Sequence, residues 1–160
     1  MRYDNYKSSG IDWIGNVPNH WSIKRVKDIL NVFVPQRDKP VLGDIGFPWV
    51  TMEYLKGTVL DLENYKFYVS DFEVTDKKIR LVPPNSILAS CVGEFSITAI
   101  NTEPVVINQQ IQAFTRFKKL NLFYFNYTIQ STLYNNYFNS IASETTLKYL
   151  NKDKFLLTSV

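Results

Sequence analysis

The chain has 160 residues, of which 45% are hydrophobic and 21% charged, a composition typical of a soluble globular protein with one domain. Its net charge of +3 permits contact with a polyanion without requiring it, and its single cysteine, Cys91, excludes an intramolecular disulfide. Residues 1–20 lack the apolar run of a signal peptide, and no stretch approaches the ~20 apolar residues of a membrane helix. We therefore expect a cytoplasmic protein with no membrane partner.

The first residues predict an arm ahead of the domain body. Residues 1–20 are polar, and Asn16-Val17-Pro18-Asn19 disfavours a helix, so we expect an extended or turn-rich segment. Trp13 and Trp21 are expected to pin this arm onto the body. His20 is interpreted as a partly buried, hydrogen-bonded residue rather than a metal ligand or a general base. The expected organisation is a single domain over 1–160, with an arm at 1–21 and a globular body at 22–160.

A short amphipathic helix is predicted next. Apolar residues at Ile23, Val26 and Ile29 follow a helical spacing, with basic residues on the opposite face. Ser22 is a candidate N-cap, which gives a helix from about Ile23 to Leu30. Pro35 blocks its continuation, because proline has no backbone N–H to donate.

The middle of the chain favours short strands. Residues 35–48 form a loop rich in proline, glycine and charge, and the charged segment Asp71–Lys78 predicts a turn of helical character. Apolar or alternating runs between breakers predict the strands. These are Trp49–Glu53, Tyr65–Ser70, Ile87–Val92, Ser96–Ile100, Val105–Ile107 and Ile111–Phe117, the last three at hairpin spacing.

A longer helix is predicted over Leu122–Tyr137, capped by Asn121. Its apolar face would contain Leu122, Phe125, Ile129, Leu133 and Tyr137. A link rich in serine and threonine at 140–146 leads to a final element. Strict alternation of strands and helices is missing, so the fold class is α+β, an irregular and mostly antiparallel sheet with a few helices.

Residue types required for catalysis are scarce. One histidine and one cysteine argue against a zinc site, and Cys91 lies in an apolar run, where a buried and unreactive thiol is expected. No phosphate-binding glycine motif occurs, and we expect no cofactor. A magnesium nuclease can be built from Asp71, Asp76 and Lys78, with the carboxylates holding the metal and the lysine steadying water. The competing interpretation of that segment is a solvated charged turn.

Polar clusters in the loops are a more distinctive feature. They contain the residue types that contact base edges and phosphates in nucleic acids. The candidates are Arg37, Lys39, Thr51, Glu53, Lys56, Asn108, Gln109, Thr145 and Lys148. Polar loops occur in every protein, which is the alternative interpretation. The run Asn108-Gln109-Gln110 lies between apolar segments and forms either a hydrogen-bonded turn or a recognition surface.

Several segments, in order, resemble the specificity subunit of Type I restriction–modification enzymes. They are SGIDWIGNVPNHW with SIKRVKDIL at the start, PWVTMEYLKG, PPNSILASCVGEFSITAI, VINQQIQAF, the aromatic helix after Asn121 and ETTLKYLNKDKF. The resemblance implies a non-catalytic target recognition domain that reads one half of a bipartite double-stranded DNA target. It also implies partners, namely modification subunits that methylate adenine and restriction subunits that cut DNA.

Two departures from this family affect the interpretation. Glu94–Thr98 stands where the family often has a further glycine and a lysine, which would alter the base preference or only the turn. The sequence stops at Val160, where the first connecting helix is expected, so the resemblance implies a half-subunit. Under this hypothesis Arg37, Lys39, Lys56 and Lys148 contact phosphates or guanine. Thr51, Glu53, Asn108, Gln109 and Thr145 contact base edges or shape the loops.

A second hypothesis stays open beside DNA recognition. The chain would be a protein-interaction module that mimics the specificity subunit and binds modification subunits without reading DNA. The magnesium nuclease is a third, which requires the carboxylates of Asp71 and Asp76 to share a metal.

Overall fold

A computed structural model of the chain describes residues 3–61, 63, 65–118, 120–144 and 146–160. The strands are β1 (Tyr6–Ser8), β2 (Asn16–Pro18), β3 (Asn31–Phe33), β4 (Phe47–Val50), β5 (Tyr68–Val69), β6 (Ser86–Ser90), β7 (Thr98–Asn101), β8 (Val106–Ile107), β9 (Ile111–Thr115), β10 (Ser143–Glu144) and β11 (Lys148–Tyr149). The helices are α1 (Val26–Ile29), α2 (Asp71–Asp76), α3 (Leu122–Gln130), α4 (Thr132–Ile141) and α5 (Lys152–Leu157), with a 3-10 helix at Met52–Tyr54.

The central sheet has the strand order β3-β9-β6-β7, and all its pairs are antiparallel. Every residue of β6 is buried, because both faces of the sheet are covered. The middle of the strand, Ile87-Leu88-Ala89, is therefore apolar on both sides rather than alternating. The buried serines at its ends are hydrogen-bonded, since the Ser86 hydroxyl donates to the Pro83 carbonyl and the Ser90 hydroxyl donates to the Val92 carbonyl.

Helices cover one face of the central sheet. Ile87 and Ala89 of β6 point into this layer with Phe114 of β9. The rings of Phe114 and Phe155 meet edge to face with centroids 5.2 Å apart, and Phe138 meets Phe155 in the same way at 5.3 Å. These contacts join the sheet to α4 and α5, so the C-terminal helices are part of the main core.

A smaller sheet covers the other face. Leu88 and Ala113 pack there against Val50 and Ile107. The smaller sheet has the order β5-β4-β8, in which β4 and β8 are parallel. Two short hairpins, β1-β2 and β10-β11, complete the described strands. The α+β class with mostly antiparallel pairing is therefore confirmed, although the strands form four small sheets.

The predicted helix from Ile23 to Leu30 is wrong in its first half, because only Val26–Ile29 is helical and Ser22 does not cap it. Lys24 and Val160 exchange both of their backbone hydrogen bonds, at 2.7 and 2.8 Å. This pairing with the end of the chain holds residues 24–25 extended and leaves only one helical turn.

The predicted helix over Leu122–Tyr137 is two helices that meet at Ser131. Ser131 has an extended backbone, its hydroxyl donates to the Thr128 carbonyl at 2.7 Å, and its oxygen accepts from the Tyr134 N–H. The break rotates the buried face from Leu133, which is 45% exposed, to Tyr134 and Phe138. The predicted cap is confirmed, since the Asn121 side chain accepts from the Tyr124 N–H at 3.0 Å.

Most predicted strands are confirmed with shorter bounds. The strand predicted over Trp49–Glu53 instead ends at Val50 and continues as the 3-10 helix, and the strand predicted over Tyr65–Ser70 contracts to Tyr68–Val69. The hairpin spacing predicted for the last three strands is wrong, because they do not pair with one another: β7 pairs with β6, β8 with β4 in the other sheet, and β9 with β3 and β6. The expected helical turn over Asp71–Lys78 is α2.

Aromatic contacts attach the N-terminal arm to the body. The β1-β2 hairpin presents Trp13, which stacks on Tyr137 with ring centroids 4.0 Å apart and planes 10° apart. Trp21 meets Tyr124 edge to face at 5.8 Å. His20 is exposed rather than partly buried and packs against the Tyr3 ring at 5.2 Å. No helix in the described parts of the chain is long and apolar enough to cross a membrane.

Candidate nucleic-acid interface

The loop before β4 lies across the amide run Asn108-Gln109-Gln110, and together they form a polar cleft of about 340 Å³. The cleft joins four of the predicted site residues, which come from three separate parts of the sequence. Its lining consists of Gln36, Asp38, Lys39, Trp49, Thr51, Asn108, Gln109 and Gln110.

The amide run connects two sheets. It follows β8 of the smaller sheet and precedes β9 of the central sheet, and the Asn108 N–H donates to the Val50 carbonyl at 3.1 Å. The Asn108 side chain accepts from the Gln110 N–H at 3.1 Å and donates to the Gln110 side chain at 3.2 Å. Gln109 and Gln110 are exposed. The segment is therefore a hydrogen-bonded turn that also presents polar groups to solvent, so both interpretations of its sequence apply.

The loop over the cleft is tied down at several points. The Gln109 amide donates to the Arg37 carbonyl, and the Gln36 amide donates to the Lys77 carbonyl at 3.2 Å. The Val41 N–H donates to the Glu73 carboxylate at 2.8 Å. Two of these bonds use the loop backbone and the third uses the Gln36 side chain, so the charged residues 37–39 remain exposed.

Glu73 is the buried anchor of that loop. Its carboxylate pairs with the Lys77 ammonium one helical turn later, at 2.5 Å. The Lys77 hydrogen bond, together with the Val41 N–H, holds the pKa of the Glu73 carboxyl below its usual range. The carboxylate therefore remains ionised at neutral pH and keeps the loop attached to α2.

Two further predicted residues line a neighbouring groove of about 460 Å³, whose walls are Glu53, Tyr54, Lys56, Asp61 and Lys66. The Thr51 hydroxyl donates to the Glu53 carboxylate at 3.1 Å and so links the two depressions. Tyr65 packs against Tyr54 beneath this groove, and burial raises the pKa of its hydroxyl.

The remaining predicted residues lie elsewhere. Lys148 is on β11 and lines neither depression, although its carbonyl accepts from the Gly93 N–H at 2.9 Å. Thr145 lies outside the described residues. Arg37 contributes its backbone carbonyl to the loop attachment, and its side chain is exposed above it.

Four cleft residues were missed by the sequence reasoning. Gln110 belongs to the amide run that was noted, and Gln36 and Asp38 belong to the noted loop, so a signal existed for these three. For Trp49 the sequence contained no such signal, because a tryptophan in a strand is expected to pack in the core, and Trp49 is indeed buried.

The alternatives that involve catalysis gain no support from the geometry. Cys91 is buried, and burial raises the pKa of its thiol to about 11, whereas His20 is exposed on the arm. Asp71 and Asp76 stand at opposite ends of α2. Among the residues that the structure describes, no three His, Cys, Asp or Glu side chains are grouped to hold a metal ion.

Comparisons with known proteins place this geometry in context. Residues 18–160 match the Type I restriction modification DNA specificity domain family. The Type I restriction enzyme MjaIX specificity subunit of Methanocaldococcus jannaschii is 30% identical over an alignment of 109 residues, and the match covers 60% of this chain and 23% of that protein.

Solved structures share the fold. A chain from a study of type I R-M complex assembly and conformational transition superposes with a TM-score of 0.69 at 14% identity, over 97% of this chain and 36% of that one. The HsdS subunit from Thermoanaerobacter tengcongensis gives a TM-score of 0.68 at 11% identity, with coverages of 96% and 35%. The S subunit from M. genitalium gives 0.57 at 11% identity, with coverages of 89% and 35%.

The chain spans about a quarter of the curated relative and about a third of each of these structures. Because the family match extends over most of its length, the assignment does not depend on a single motif. The chain belongs to the Type I restriction modification DNA specificity domain family.

Proposed function

We propose that the chain recognises one half of a bipartite double-stranded DNA target, and that the cleft under residues 36–39 contacts the bases. The observation that carries this proposal is the meeting of Lys39, Thr51 and the amide run Asn108-Gln109-Gln110 around one depression. Base edges in the major groove are distinguished by patterns of donors and acceptors, and these side chains offer both.

The internal hydrogen bonds of the cleft leave capacity for a ligand. A side-chain amide has two N–H donors and an oxygen with two lone pairs. Asn108 uses one N–H and one lone pair within its turn, so one of each remains for an adenine edge. The turn therefore holds the amide in place without saturating it, which reduces the entropy lost on binding.

Charged residues beside the cleft complement this role. Lys39 lines it, and Arg37 is exposed in the same loop. Lysine and arginine bind phosphates, which contributes affinity without sequence information, or guanine, which contributes specificity. Glu53 in the adjoining groove can accept from cytosine N4 and is oriented by the Thr51 hydroxyl.

The role proposed for the chain is recognition within a larger assembly. Relatives with this fold are specificity subunits of type I systems, and one comes from a study of how such a complex assembles. We infer that modification and restriction subunits are the partners of the complete protein, and that methyl transfer and cleavage reside in those subunits.

The proposal is tested by selecting preferred sequences from a pool of randomised duplexes with the full chain at low salt. The wild-type chain should enrich a short motif. Asn108→Ala should lose preference at one position, by about 1–3 kcal/mol in discrimination, since each bidentate contact contributes that much. Asn136→Ala is the matched control, because Asn136 is exposed on α4 and does not line the cleft. Equal motifs for wild type and Asn108→Ala would refute the assignment of the cleft.

A further inference from the structure

Three cations that the sequence reasoning did not select meet in a second groove, next to the edge strand β3. The groove has a volume of about 780 Å³ and is lined by Asn31, Val32, Phe33, Arg80, Leu81, Pro83, Thr115, Arg116 and Lys152. No carboxylate is among these lining residues. In the described chain, none of the three cations forms an ion pair. Their positive charge is therefore uncompensated within the groove.

Arg80 is held in position by two contacts. Its guanidinium lies over the Phe33 ring, 5.0 Å from the centroid, and donates to the Val34 carbonyl at 2.8 Å. A guanidinium has five N–H donors in a planar fork. The single bond to Val34 thus orients the fork while leaving the other donors for a ligand, which is the geometry that phosphate recognition favours.

The other two cations occupy positions that local structure disfavours. Arg116 follows β9 with a φ of +56°, in the left-handed region where glycine or asparagine is more usual. Lys152 is the first residue of α5, where a positive charge opposes the helix dipole. Local structure therefore does not favour arginine or lysine at these two positions, and departures from local rules of this kind are expected at functional sites.

The second groove adjoins the proposed recognition cleft. A crevice of only about 10 Å³ lies between them and shares Phe33 and Arg80 with the groove, and Gln36, Asp38 and Trp49 with the cleft. The groove and the cleft are therefore adjacent depressions with residues of the loop between them. Asp38 is the acidic residue that lines the crevice.

We infer that Arg80, Arg116 and Lys152 form a binding site for the phosphodiester backbone of the DNA duplex whose bases lie in the cleft. The inference rests on the proposed function and extends it, since it separates a part that supplies affinity from a part that supplies specificity. A backbone site neutralises phosphates and releases counterions, so its removal must reduce the salt dependence of binding for every DNA sequence.

The test measures affinity for a labelled duplex of random sequence across a series of NaCl concentrations. The variant is Arg80→Gln/Arg116→Asn/Lys152→Gln. Lys7→Gln/Arg25→Gln/Lys27→Gln is the control, with the same loss of three charges at exposed residues that line neither groove nor cleft. If each cation contacts one phosphate, the slope of log K against log salt should fall by about 2.7 in the variant, at about 0.9 per contact. The control should retain the wild-type slope.

The double variant Arg116→Asn/Lys152→Gln serves as a second test in case the triple variant does not fold, because it keeps the Arg80 contacts with Phe33 and Val34. It should lower the slope by about 1.8. Slopes equal to the control in both variants would refute the inference. Asn108→Ala separates the two claims, since it should change sequence preference and leave the slope unaltered. Loss of preference there with unchanged groove slopes would support the cleft and overturn the groove. A lower slope in the groove variants, with no effect of Asn108→Ala on sequence preference, would support the groove and overturn the cleft. A wild-type chain whose DNA binding does not depend on salt would overturn both the groove and the cleft.

Discussion

Replacing Asn101 with alanine tests how much buried side-chain hydrogen bonds stabilise the central sheet. Asn101 is fully buried at the end of β7, and its side-chain oxygen accepts from the Ser86 N–H at 3.0 Å. Its amide donates to the carbonyls of Pro83 at 2.9 Å and Glu103 at 2.8 Å. The side chain thus ties together the turn before β6 and the turn after β7.

The expected cost follows from these three bonds. The alanine variant leaves the buried Ser86 N–H without a partner, at about 1–3 kcal/mol, and loses two bonds of about 0.5–1.5 kcal/mol each. The loss of about 2–6 kcal/mol is a large share of the roughly 5–15 kcal/mol that stabilises a typical domain. Urea unfolding followed by far-UV circular dichroism measures it. Thr102→Ala, at the exposed neighbour, should stay within about 0.5 kcal/mol of wild type.

Asn101→Asp adds a dependence on pH. An ionised carboxylate there would face the carbonyls of Pro83 and Glu103, so its pKa in the folded chain would exceed the ordinary aspartate value of about 3.9. Protonation then favours the folded state. Relative to wild type at the same pH, the aspartate variant is therefore most stable below the unfolded-state pKa and loses stability as pH rises toward the raised pKa. An alanine variant as stable as Thr102→Ala, or an aspartate variant whose deficit relative to wild type is smaller at neutral than at acid pH, would refute the reasoning.

Three other outcomes follow from the structure. Trp13→Ala should destabilise the chain by about 1–3 kcal/mol and speed proteolysis of the arm, because it removes the Tyr137 stack; unchanged cleavage would contradict the attachment. A thiol reagent should modify Cys91 slowly at pH 8 unless the chain is unfolded, because burial raises the pKa of the thiol to about 11; rapid reaction of the folded chain would contradict its burial. Glu73→Gln should lower stability at neutral pH by breaking the Lys77 pair. Since the Glu73 pKa is lowered on folding, this difference should vanish as pH falls through that pKa, and a constant difference would exclude the pair as its cause.

Three of the four strands of the central sheet, β6, β7 and β9, were predictable because their signal is local, whereas β3 was not predicted. The run Ile87–Val92 is apolar and follows Pro83-Pro84, and its neighbours have strand length and spacing. The break at Ser131 had a local signal as well, because serine followed by threonine is a favourable helix start. One unbroken helix was predicted instead, because the apolar residues on both sides of Ser131 also fit the spacing of a single continuous helix.

Long-range pairing accounts for what the sequence could not predict. Residues 24–25 are extended because they pair with the last residues of the chain, a partner that no local spacing reveals. The residue types of the cleft were predictable, yet their meeting depends on how loop 35–46 crosses the amide run. Arg80, Arg116 and Lys152 are isolated in sequence and belong to separate segments, so only the fold unites them.

The most direct test of DNA recognition is to replace the corresponding domain of a complete specificity subunit with residues 1–160 and to map the methylated sites of the resulting enzyme. If this domain reads DNA, one half of the bipartite target changes, the other half is retained, and Asn108→Ala in the graft relaxes the new half. Methylation that continues at the recipient's original target, with both halves unchanged, would show that this domain does not determine the sequence.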